Sequence, residues 1–127
     1  MKTTKVKIGG REFALAFDLN VMEALEGVIQ NFDVGEITNY VKKPGGLKDV
    51  LTAMAAEGEA IEGRKLDVDR EWFGRHAGIS APALARIQIA IYDTLRRELF
   101  MQTETEEESG EVDVVLEELK KKEGKDG

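Results

Sequence analysis

His76 is the only histidine of the chain and there is no cysteine, so the sequence offers neither a metal-ligand set built on those side chains nor a thiol nucleophile beside its base. It falls just before the stop signal Gly78, where an imidazole commonly meets helix-end carbonyls, and a structural or surface role is expected for it. No HExxH, GxSxG, GxxxxGKS/T or GxGxxG pattern occurs, and among 25 acidic residues no pair stands out as a general acid and base. Gly9-Gly10 lies between two alternating segments with no helix N-terminus behind it, so it reads as a hairpin turn rather than a phosphate cradle. Trp72 and Phe73 read as core residues of a short helix, with an exposed binding aromatic as the alternative. The expectation is a protein that is not an enzyme and carries no cofactor or metal.

Charge narrows the partners. Residues 103–127 hold 10 acidic and 4 basic residues, which leaves 15 acidic and 14 basic for the rest of the chain. A near-neutral body with an acidic tail gives no electrostatic footprint for nucleic acid or an anionic membrane. The start, MKTTKVKIGG, is basic but lacks the apolar core of a leader, and nothing approaches the roughly 18 apolar residues of a membrane span, so a soluble, unexported protein is expected. The lack of cysteine fits a reducing compartment.

The elements around these residues follow from periodicity. Residues 5–8 and 11–17 alternate polar and apolar side chains about Gly9-Gly10, predicting a hairpin whose Val6, Ile8, Phe13, Leu15 and Phe17 share one face. Asp18 or Asn20 can cap a helix carrying Val21, Leu25, Val28, Ile29 and Phe32 and ending near Asn31. A turn at residues 33–35 and a short helix over 36–42 follow, and KKPGG breaks the chain. Leu47, Val50, Leu51 and Met54 mark a further amphipathic helix. The glycine-interrupted stretch EGEAIEGRK, residues 57–65, predicts a mobile connection and a hinge. Asp67 or Asp69 caps a short helix through His76.

Residues 80–101 read as one long helix, capped by Ser80 with Pro82 in its first turn, about which the rest of the chain is expected to be organised. Leu84, Ile87, Ile91, Leu95 and Leu99 form one stripe; Ala85, Ile89, Tyr92 and Phe100 form a second beside it. An apolar arc that wide suits a helix covered on two sides, so Ile87, Ile89, Ile91, Tyr92, Leu95 and Phe100 are expected to meet a like subunit or another partner. In the acidic segment, Val112, Val115, Leu116 and Leu119 recur at helical spacing ahead of Lys120, Lys121 and Lys122. They predict a short amphipathic helix on an otherwise disordered tether that docks into a partner's groove or folds back on its own domain. The overall expectation is a mainly α fold: a hairpin plus small helical domain over residues 1–102 and an acidic, largely disordered tail over 103–127.

Two patterns bear on function. EWFGRHAGISAPAL, residues 71–84, imitates a helix-turn-helix, yet Ala81, Pro82, Ala83 and Ala85 give a recognition helix little to offer base edges, so a DNA-binding regulator is the alternative reading. The stretch KVKIGGREFALAFDLNVMEALEG, the LKDVLTAM helix, the DREWFGRHAGI linker and the final long helix together resemble the tail assembly chaperones of long-tailed, siphovirus-type bacteriophages. The likeness rests on an apolar-x-Leu-Asn lead-in to a helix bearing a Leu-Glu pair: Phe17, Leu19, Asn20, Leu25 and Glu26. The chain departs from the family's His-x-Asp-Pro-like turn, having EGEAIEG instead. The resemblance implies a transient, non-enzymatic factor of the host cytoplasm that binds the tape measure protein and recruits tail tube protein. It also implies self-association, hence a homo-oligomer, and absence from the mature virion.

Overall fold

The computed structural model describes residues 2–101. It is mainly helical behind an N-terminal hairpin: strands β1 (Thr4–Ile8) and β2 (Arg11–Leu15), then helices α1 (Leu19–Glu26), α2 (Ile37–Val41), α3 (Pro44–Ile61), α4 (Arg70–His76) and α5 (Ala81–Leu95). The chain divides into two units, Met1–Thr94 and Leu95–Gly127, and the expected boundary at residues 102/103 lies beyond the described residues.

Gly9 and Gly10 take φ of 60° and 81°, the left-handed pair that a two-residue hairpin turn needs, so Ile8 pairs with Arg11 and Val6 with Phe13. Gly9 is required a second time by space, since a Cβ there would sit 2.9 Å from His76 Cβ. The face expected to be apolar, Val6, Ile8, Phe13, Leu15 and Phe17, is buried throughout. Phe13 packs edge-on against Phe73 at 5.1 Å and Trp72 at 5.6 Å between centroids, which docks α4 beneath the hairpin. Phe73 is thus core, while Trp72 is half-buried with the His76 imidazole stacked 4.2 Å away. His76 Nδ1 lies 2.9 Å from the Trp72 carbonyl oxygen, so the ring serves the end of its own helix.

The centre of the first unit is α3, not the segment at residues 80–101. At 18 residues it is the longest described helix, and it packs on β2, α1, α2 and α4. Its start corrects the reading of KKPGG as a simple break: Pro44 occupies the first helical position, where a missing N–H costs nothing, and the helix runs on through both glycines. Its end corrects the expected hinge at residues 57–65. The helix continues to Ile61 with Gly58 and Glu59 buried, because Gly58 brings the helix into van der Waals contact with the backbone of Ala14 on β2. A side chain there would collide with the Ala14 carbonyl. The adjoining Glu59 then reaches the strand: Oε2 accepts the Ala14 N–H at 2.8 Å, and Arg64 Nε donates to Oε1 at 2.8 Å. The Met54 carbonyl accepts the Ala16 N–H at 3.2 Å, so α3 closes the β2 edge at two points.

The remaining boundaries follow from caps. Asp18 caps α1 by accepting from the Val21 N–H at 3.2 Å, and the helix ends at Gly27, short of the expected Asn31, so Val28 is exposed. Asp33 caps a single 3-10 turn, Val34–Glu36, ahead of α2. Asp69 caps α4 through the Trp72 N–H at 2.8 Å, and Arg70 ties α4 to α3 through Asp49 at 2.6 Å. The Ser80 hydroxyl accepts from the Ala83 N–H at 3.2 Å as expected, but the α-helix ends at Leu95 and Arg96–Met101 forms a wider π turn.

Two measurements test this centre. Gly58→Ala should lower the free energy of urea unfolding by about 2 kcal/mol or more, because its methyl overlaps strand backbone, whereas Gly27→Ala, at an ordinary φ of −78°, should change it little. The Arg64 guanidinium, followed by the Ala14 N–H, holds the Glu59 carboxyl below its usual range against the opposing effect of burial. A depressed carboxyl stabilises the fold above the unfolded-state value of about 4.3 and loses that contribution as pH falls through the folded value. The stability gap between the parent and Glu59→Gln should therefore be widest near neutral pH and shrink below about pH 4.

Candidate protein-binding groove

The hairpin has two edges and α3 closes only one. In an antiparallel pair, alternate residues turn their backbone groups away from the partner strand. On β2 one of these is Ala14, taken by Glu59; on β1 they are Lys5 and Lys7, opposite Ala14 and Glu12. Among the described residues no backbone group pairs with the outer side of Lys5 or Lys7. This open edge forms one wall of an open cleft of about 450 Å³. Thr4, Lys5, Val6 and Lys7 line that wall, and α5 supplies the other with Arg86, Ile89, Ala90 and Asp93.

The wall from α5 is apolar at its centre. Ile89 is 57% exposed, a large cost for a β-branched aliphatic that the fold leaves in place, and Ala90 lies beside it. The Thr4 hydroxyl is buried with no hydrogen-bond partner among the described residues. Lys5 is held by Glu62 at 3.1 Å and bonds the Thr3 hydroxyl at 3.2 Å, which aligns the outward face of β1. The cleft therefore joins backbone donors and acceptors that are unpaired among the described residues, three cations, two acids and an exposed aliphatic. Those are the elements of peptide recognition by strand addition.

Of the residues expected to meet a partner, the structure divides the list. Ile87 and Ile91 are 2% and 0% exposed and belong to the core of their own chain, and Leu95 is buried as well. Tyr92 is half-buried, and among the described residues of the list Ile89 is the one that opens into the groove. The side chain of Phe100, and Val112, Val115, Leu116 and Leu119, lie outside the described residues. Thr4, Lys5, Lys7, Arg86 and Asp93 were not foreseen as site residues; the one local signal was the Lys-Val-Lys-Ile alternation, since lysines are typical of an uncovered edge strand.

Elsewhere the fold brings together Asp18 and Glu57, a carboxylate pair that sequence spacing concealed. The Asp18 carboxylate, as an acceptor for the protonated Glu57 carboxyl, then burial, raises Glu57 above its usual range, while Asn20 donates to it at 3.1 Å and opposes the shift. Asp18 is already committed to capping α1, and it is the Asn20–Glu57 hydrogen bond that ties α1 to α3. In the helix-turn-helix-like segment, Gly78 makes the turn at φ 83°, and the exposed side chains over residues 81–86 are Ala81, Pro82, Ala85 and Arg86. No helix among the described residues is long and apolar enough to cross a membrane. The chain matches no known protein family, no curated protein and no solved structure in the comparisons made.

The division of α5 is testable by two neighbouring substitutions. Ile89→Asp should keep the far-ultraviolet helix signal and a thermal midpoint within a few degrees of the parent. Ile91→Asp should unfold the protein or lower its stability by more than about 3 kcal/mol, because an unpaired carboxylate would enter the core.

Proposed function

We propose that this protein is a tail assembly chaperone of a long-tailed bacteriophage. It acts in the host cytoplasm, binds the tape measure protein, recruits tail tube protein, and leaves before the virion is complete. The reading is supported first by the residues that carry the resemblance: Phe17 is buried at the end of the hairpin, Leu19 opens α1 while 77% exposed, Leu25 is buried and Glu26 is on the surface. The observation that carries the protein-binding part is the groove between the β1 edge and α5. A factor that grips an unassembled subunit needs main-chain groups to offer and apolar surface beside them, and it needs a grip weak enough to release.

Self-association belongs to the same reading. Several copies on one elongated client convert individually weak contacts into avidity, without any one contact having to be permanent. The acidic segment of residues 103–127 would keep such an assembly soluble through like-charge repulsion.

Co-expression with the tape measure and tail tube proteins of the same genome tests the reading directly. The tape measure protein should be recovered in the soluble fraction only when this protein is present. Changing Leu116 and Leu119 together to Ser should leave the far-ultraviolet spectrum and thermal midpoint intact and reduce the soluble yield of the client. DNA binding that weakens steeply with salt, with no effect on the client, would instead select a DNA-binding regulator of helix-turn-helix type.

A further inference from the structure

We infer that the open β1 edge takes an extended strand from the acidic segment of a second copy of this chain, residues 111–115. Each copy would thereby hand a strand to the next. The inference deepens the proposed function by naming the occupant of the groove, and it rests on that reading only for the expectation of self-association.

The groove selects for the chemistry of its occupant. An edge strand whose Lys5 and Lys7 backbone groups are unpaired among the described residues accepts an extended chain, and its side chains determine which chain. Two β1 edges cannot pair well with each other, because Lys5 and Lys7 would face lysines of the other copy. An alternating segment with acids in place of the lysines pairs well. Such a segment occurs in the chain itself: Glu111, Val112, Asp113 and Val114 repeat the period of Lys5, Val6, Lys7 and Ile8 with the charge reversed.

In antiparallel alignment, Glu111 falls beside Lys7 and Asp113 beside Lys5. These are the positions where the β1 backbone points outward, so each pair would exchange main-chain hydrogen bonds and place opposite charges on one face. Val112 then falls beside Val6 and Val114 beside Thr4, with both valines turned toward Ile89 and Ala90 of α5. The valines are strand formers, and the exposure of Ile89 acquires a use. Among the lining charges Lys5, Lys7 and Arg86 outnumber Glu12 and Asp93, although Lys5 is shared with Glu62, and Glu12 belongs to β2, on the side of β1 away from the edge. The same valines that suggest a helix when counted with Leu116 and Leu119 thus have a strand alternative, which this groove would select.

The absence of cysteine makes the contact directly measurable in the full chain. Lys7→Cys protein is mixed with Glu111→Cys protein and oxidised mildly; residues opposed across a strand pair have a Cα separation within the range a disulfide spans. The expected result is a mixed dimer several-fold more abundant than with Lys42→Cys, an exposed position away from the groove, and its yield should fall as salt is raised. Cross-linking no greater than in the Lys42→Cys control would overturn the inference. Placing both cysteines in one chain distinguishes the source: a disulfide that stays within single chains, with none formed on mixing, would mean that the groove takes no strand from a second copy.

Charge reversal gives an independent reading without cysteines. Glu111→Lys and Lys7→Glu should each lower the sedimenting mass of the full chain. An equimolar mixture of the two variants should recover part of it, because the lysine introduced in one would meet the glutamate introduced in the other, an ion pair of reversed polarity in place of the original. No change in either variant would overturn the inference, as would loss with no recovery on mixing. Client solubilisation is scored separately by co-expression. Failure of the cross-link with an intact effect on the tape measure protein would remove the strand exchange and leave the chaperone reading standing. A robust cross-link with no client effect would do the reverse.

Discussion

A hairpin of two short strands is barely stable alone, and this fold depends on how α3 takes the place of a third strand. The helix lies so close to β2 that Gly58 touches the Ala14 backbone, and Glu59, one residue on, accepts the N–H that a neighbouring strand would have accepted. A buried carboxylate is costly unless it is paired and hydrogen-bonded, and Arg64 and Ala14 supply both conditions. Met54 repeats the arrangement from the previous turns of the helix through its carbonyl. The β2 edge is therefore closed by side-chain and main-chain groups of a helix.

That arrangement sets the asymmetry on which the functional reading turns. Once one edge is sealed, the core face of the hairpin is fixed, and with it the outward direction of Lys5 and Lys7 on the other edge. Phe13 settles the same question from below, because its contacts with Phe73 and Trp72 hold β2 against α4 while Gly9 leaves room for His76. Arg11 joins this cluster: its guanidinium lies 5.1 Å from the Phe13 ring centre and bonds Asp67 at 2.6 Å. The β1 edge is thus presented on a braced scaffold, the condition under which strand addition costs the acceptor little ordering entropy.

What the sequence reveals and conceals divides along the same physical line. The hairpin, its register and its buried face are local facts, determined by two glycines that tolerate positive φ and by alternation on either side. Most of the caps are local too, which is why Asp18, Asp69 and Ser80 could be anticipated. Gly58 could not be, because its glycine serves a close approach to residue 14; without that contact in view, EGEAIEG reads as a loop. Residues 80–101 misled in another way. Up to Leu95 the two apolar stripes are real, but Ile87 and Ile91 are used by the chain's own core, and among the described residues of the second stripe it is Ile89 that opens into the groove. The groove itself joins residues 4–7 to residues 86–93, and no periodicity within either segment encodes that meeting.

A binding surface built from an open edge carries a hazard, since unpaired strands invite uncontrolled association. The composition of β1 restrains it. Lysines at the two outward positions penalise pairing with another β1 edge, and the acids Glu12 and Asp93 at the margins keep the cleft from being uniformly cationic. The result is an edge that discriminates by charge pattern, rejecting its own kind while remaining open to an acidic, alternating chain. Because the discriminating charges lie at an exposed rim, they are screened and individually weak, so they govern partner choice and the rate of encounter more than the strength of the grip. For the proposed assembly factor, which would have to hold an unassembled client and then depart, that division between choice and strength would be the useful one.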